Sequence, residues 1–200
     1  MTFSVCWRGC RLEMGFSCFA LLAFTCLFLG GSSGVVFLLA AALHELSHIA
    51  VLILFGAPPA FVRLTALGCR MVPNREKVLS YGRMAAVSLA GPGMNLLLAG
   101  GMTIFGLEEN PFCTANLVLG ILHSLPVEPL DGGLAFRGLL QLCLSQERAA
   151  KWSFVVSLGI LLPMAVLGFL ILLRTRYNFT LLAMSLYLML YLVLKRDFLS

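Results

Sequence analysis

The sequence predicts an all-α polytopic membrane protein of about six transmembrane helices, and three observations predict it. The 200 residues are 60% hydrophobic and 12% charged, with a mean hydropathy of +0.97. That is more apolar surface than a soluble domain of this length can hide. The apolar residues gather into runs suited to a hydrocarbon core about 30 Å thick. The charged residues gather in the short connectors between those runs. The net charge of +5 is therefore not a nucleic-acid footprint. Basic residues placed this way set membrane topology, and no nucleic-acid partner is expected.

Spans are expected at about 14–31, 34–55, 84–105, 113–125, 153–173 and 179–194, the fourth of them short. Arg8 and Arg11 precede the first. Arg63, Arg70, Arg75, Lys77 and Arg83 lie between the second and third, Arg137, Arg148 and Lys151 between the fourth and fifth, and Lys195 and Arg196 after the sixth. Twelve of the 14 Lys and Arg residues thus fall on one side, the cytoplasmic one, together with both termini. The other side receives Gly30-Gly31-Ser32-Ser33-Gly34, the acidic Glu108-Glu109-Asn110-Pro111 turn, and Arg174 and Arg176. The first span has a competitor, since basic residues, an apolar stretch and a small-residue segment also make a signal peptide. Retention is the expectation, because an even number of spans fits the charges. The seven cysteines form no Cys-x-x-Cys pair and are read as small apolar thiols.

Between the second and third spans, residues 58–71 are too short and too polar to cross a bilayer. Pro58 and Pro59 bar them from continuing the preceding helix. Val62, Leu64 and Ala66 alternate with Arg63, Thr65 and Leu67, a partial strand signal that a plain surface loop would also fit.

The chemistry starts in the second span. His44, Glu45 and His48 interrupt an otherwise uncharged run, Gly34 to Phe55. Ionisable residues at membrane depth are costly and mark functional sites by default. His-Glu-x-x-His on a helix puts both imidazoles on one face, one turn apart, ready to share a Zn²⁺. Glu45 beside them is placed to act as the base toward a water that the metal activates. A catalytic zinc wants three protein ligands and an open position, and this helix supplies two.

Asp131 is the candidate for the third. It is the only aspartate before position 197 and sits in Leu125-Pro126-Val127-Glu128-Pro129-Leu130-Asp131-Gly132-Gly133. Two prolines break regular helix there, and irregular backbone at membrane depth is tolerated only within protein or beside a water-filled cavity. A helix cap is the alternative role for Asp131. In the third span, Ala90-Gly91-Pro92-Gly93-Met94-Asn95 places small residues and a proline before an amide. Asn95 needs a partner in a hydrocarbon layer, either a neighbouring helix or substrate backbone near the metal.

These three segments carry a resemblance. His44-Glu-Leu-Ser-His48, Gly91-Pro-x-x-Asn95, and Leu-Pro-x-x-Pro-Leu-Asp-Gly-Gly ending at Gly133 resemble, in order and spacing, the motifs of site-2 proteases, which are intramembrane zinc metalloproteases. Within the family the chain looks most like the stage IV sporulation protein FB group, which processes a membrane-associated pro-sigma factor in spore-forming bacteria. The resemblance implies a multi-pass enzyme of a bacterial cell membrane, one membrane-embedded domain over residues 1–200. It implies one Zn²⁺ per chain on His44, His48 and Asp131, Glu45 as general base and acid, and Asn95 on the substrate. It also implies a short membrane-associated β-hairpin or re-entrant loop after helix 2, whose edge captures an unwound substrate by strand addition.

One departure stands out. Three residues before the first proline of the Leu-Pro-x-x-Pro segment, where the family usually has asparagine, this chain has His123. It can stand in for a substrate-binding amide, support a metal ligand from behind, or ligate. The expected partners are the lipid bilayer, a membrane-associated protein substrate and a membrane regulatory protein, since about six residues follow the last span and control must come from outside them. Oligomers are compatible with this reading. The alternatives are a catalytically silent relative that binds clients, which the intact Glu45 argues against, and a metal transporter, whose ionisable residues would be spread along a path rather than gathered.

Overall fold

The structure, a computed structural model, describes residues 2–7, 10–15, 31–65, 68–73 and 79–197. It is mostly helical and falls into two compact units, Met1–Leu122 and His123–Ser200. The expected first span, 14–31, lies outside the described residues, save that 14 and 15 end a strand and 31 opens a helix.

The first unit holds a sheet and two long helices. Strands β1 (Thr2–Trp7) and β2 (Cys10–Gly15) are antiparallel, β2 runs parallel to β3 (Pro59–Thr65), and β3 is antiparallel to β4 (Gly68–Pro73), giving the order β1-β2-β3-β4. The expectation for 58–71 named a hairpin or a re-entrant loop alone; here residues 59–65 and 68–73 are half of a four-stranded sheet whose other half comes from 2–7 and 10–15. In β3 the alternation is visible, with Val62 buried and Arg63 exposed. Arg63 reaches across to Glu13, its register partner on β2, at 2.7 Å. A residue expected only to set topology thus also ties the two hairpins together.

Helix α1 (Gly31–Leu54) is 24 residues long, about 36 Å at 1.5 Å per residue. It ends where Gly56 takes a positive φ of 69° and the Gly56 and Ala57 amides bond back to Ile53 and Leu52, the left-handed close that glycine permits. Pro58 and Pro59 then start the chain into β3. Helix α2 (Tyr81–Ile104) begins at Ser80, whose hydroxyl accepts from the Arg83 amide, and packs against α1. Helix α3 (Pro111–Ser124) is only 14 residues. Asn110 caps it by accepting from the Phe112 amide, with Pro111 in the first turn. Gly120 of α3 meets Leu96 of α2 so closely that a Cβ would lie 2.8 Å from its side chain.

The second unit runs from the last turn of α3 through α4 (Asp131–Leu140), α5 (Gln146–Thr175) and α6 (Thr180–Asp197). Its core is Val127, Leu161, Leu188 and Leu192. Gly168 lets α5 and α6 meet backbone to backbone, for a Cβ there would be 2.6 Å from the Leu182 amide nitrogen. Helices α1, α2 and α5 are long and apolar enough to cross a membrane. Their outer faces agree: Leu97 is 74% exposed and Leu46 57%, a band that water would not favour and hydrocarbon would.

Candidate metal centre

The i, i+4 spacing on α1 does locally what the sequence requires. His44 and His48 lie on one face with ring centroids 4.9 Å apart, at 3% and 6% exposure. Each ring is fixed by its Nδ1. The Nδ1 of His48 is 2.7 Å from the Val87 carbonyl, and that of His44 is 3.0 Å from Oδ1 of Asn95. Both partners are acceptors, so each imidazole in its neutral form donates from Nδ1 and carries its lone pair on Nε2. Orienting a histidine through the other ring nitrogen in this way is the usual support of a metal ligand. Glu45, half-buried, follows His44 on the same helix.

Both Nε2 atoms border Gly91. A Cβ built on Gly91 would fall 2.6 Å from His44 Nε2 and closer still to His48 Nε2. A zinc ion sits about 2.0–2.1 Å from each imidazole nitrogen it binds. The missing side chain therefore leaves room near the locus that two zinc-bound histidines would share, and the donor pair fits the metal. Pro92 follows in the interior of α2, where it removes one backbone N–H. That missing donor belongs to the Ser88 carbonyl, and the neighbouring Val87 carbonyl takes His48.

Asn95 is fully buried. The sequence left it to a neighbouring helix or to substrate backbone, the latter implied by the resemblance; here its oxygen holds His44, a contact across 51 positions. Its Nδ2 finds no acceptor among the described residues, so the amide has one end on the histidine and one donor end uncommitted. Gly91 was noted in the sequence as a small residue and as the start of the Gly-Pro-x-x-Asn motif, and its place beside the two rings had no local signal.

In the second unit, His123 and Asp131 form a pair, with Nδ1 2.7 Å from Oδ2. Asp131 is the first residue of α4, and the cap position belongs to Leu130, which makes no side-chain cap bond. An anion in the first helical turn is favourable. Capping is thus not what occupies the Oδ2 oxygen. The segment before it turns through bonds from the Val127 amide to Leu125 and from the Leu130 amide to Val127. Cβ atoms at Gly132 and Gly133 would collide with the backbone of 124–125 and of 127–128 respectively, so the two glycines let α4 start directly against the loop. The structure thus gathers His44, His48 and Asn95 in the first unit and His123 with Asp131 in the second.

No family model and no curated protein matches the chain. Among solved structures, it is similar to the Site-2 Protease from Methanocaldococcus jannaschii, with 18% sequence identity and a TM-score of 0.66 over 95% of this chain and 93% of that one. The two share a fold.

Proposed function

We propose that this chain is a zinc-dependent intramembrane endopeptidase of the site-2 protease type, cutting peptide bonds in or near the membrane segment of a membrane-associated protein. The observation that carries the reading is the imidazole pair of α1, locked through both Nδ1 atoms with both Nε2 atoms bordering Gly91 on a helix apolar enough for a membrane. In this reading His44, His48 and Asp131 hold one Zn²⁺ per chain. Bound zinc supplies Lewis-acid chemistry, acidifying a water and polarising a carbonyl. Glu45 takes the proton from the attacking water and hands it to the leaving amine. Asn95 offers its Nδ2 to the substrate backbone. His123 bonds Asp131 through Nδ1 and takes the place of the substrate-binding amide in this reading.

A helical client hides its scissile bond and must be unwound. Among the described residues β4 pairs only with β3, and strand addition to that edge is a route for holding an extended segment. The client class that suits the motif resemblance is a membrane-associated pro-sigma factor in sporulation or another substrate of regulated proteolysis, under a membrane regulator. Glu45→Gln tests the enzyme reading, because Gln keeps the shape and cannot take the proton. Cleavage of a membrane-anchored client should fall by at least about 10²-fold while metal analysis still finds zinc. Near-wild-type cleavage by the purified variant would overturn it.

A further inference from the structure

Glu128 is a buried carboxyl group that the proposed chemistry leaves unused. It lies in the loop before Asp131, 4% exposed. Its Oε1 accepts from the Ser153 hydroxyl at 2.7 Å, and its backbone amide donates to the Ser157 hydroxyl at 3.0 Å. Ser153 and Ser157 are one turn apart on α5, and both are fully buried. Arg137 of α4 brings Nη1 to 3.6 Å from the same Oε1. A carboxylate is expensive to bury, and a hydrophobic side chain of similar volume would fill the space without that cost. What an apolar residue cannot do is accept from Ser153 on α5 while pairing with the Arg137 charge on α4.

The backbone couples this anchor to Asp131. Asp131 is three positions after Glu128, and Gly133 rests against the Val127 and Glu128 backbone with no space for a Cβ. A shift of Glu128 therefore moves the start of α4 and with it the carboxylate. We infer that Glu128 is a positioning residue, fastened to Ser153, Ser157 and Arg137, that sets where Asp131 presents its carboxylate to the metal. This rests on Asp131 being a metal ligand, the reading proposed above.

The test uses full-length protein in detergent, with Co²⁺ in place of zinc, because its visible spectrum reports coordination geometry and a chelator competition reports affinity. Asp131→Ala, Glu128→Ala, Glu128→Gln and Ser153→Ala are compared with the wild type, alongside thermal unfolding. Altered support of a ligand typically costs about 10–100-fold in metal affinity. Glu128→Ala should show a loss in that range and a changed cobalt spectrum. Glu128→Gln, which can still accept from Ser153, should recover much of both, and Ser153→Ala should fall between. Should Glu128→Ala fail to fold, the Gln and Ser153 variants decide the matter by spectrum and affinity. If Asp131→Ala keeps the wild-type spectrum and affinity, the ligand assignment is wrong. If Asp131→Ala loses the metal while Glu128→Gln and Ser153→Ala both keep wild-type affinity and spectrum, Glu128 does not position Asp131.

Discussion

The histidine pair and Gly91 show what single residues carry. His44 and His48 were legible in the chain because their relation is local, four positions on one helix. Their partners were not, since Asn95 meets His44 across 51 positions and Val87 meets His48 across 39. Gly91 makes the strongest residue-scale prediction. Gly91→Ala is the mildest of substitutions by composition, yet its methyl would sit against both Nε2 atoms. Overpacking of this kind costs about 1–3 kcal/mol, and the imidazoles must move to relieve it. Zinc per chain, by metal analysis, should drop well below one while the protein still folds; full occupancy would show that the metal binds elsewhere. His123 allows a second test. His123→Asn keeps a short-range N–H donor for Asp131 and should retain zinc, whereas His123→Ala should lose about 10–100-fold in metal affinity. Equal loss in both variants would make His123 a ligand.

Helices at this scale were read well where a long apolar run defined them, and poorly where pairing at a distance did. The expected runs at 34–55, 84–105, 153–173 and 179–194 correspond to α1, α2, α5 and α6, and the short expected run at 113–125 to α3, with α5 starting seven residues earlier than expected. Strands β1 and β2 went unforeseen. They are six residues each, and the parallel partner of β2, β3, lies more than forty positions downstream, beyond the reach of any local period. The α5–α6 pair gives the element-scale prediction. Gly168→Ala pushes a methyl onto the Leu182 backbone and should destabilise the second unit by about 1–3 kcal/mol. A melting curve in detergent that matches the wild type would mean that the two helices are not held at that contact.

At the scale of the whole molecule, the prediction concerns its direction in the membrane. From the basic connectors we expect residues 56–83 on the cytoplasmic side, and Ser80 is exposed at the start of α2. Ser80→Cys, in a background stripped of the seven native thiols, should stay unlabelled by an impermeant thiol reagent in intact cells and react once they are opened. Free labelling from outside would invert the topology. The sequence by itself determined the apolar composition, the long helices and the identity of the candidate ligands, because hydrophobic runs and an i, i+4 repeat are properties of neighbours in the chain. Only the tertiary structure decided which acceptors lock the two imidazoles, that Gly91 keeps the space beside them open, and that His123 and Glu128 flank Asp131 with different partners. Those relations join residues 8 to 51 positions apart, and packing, which no local pattern encodes, is what brings them within hydrogen-bond reach.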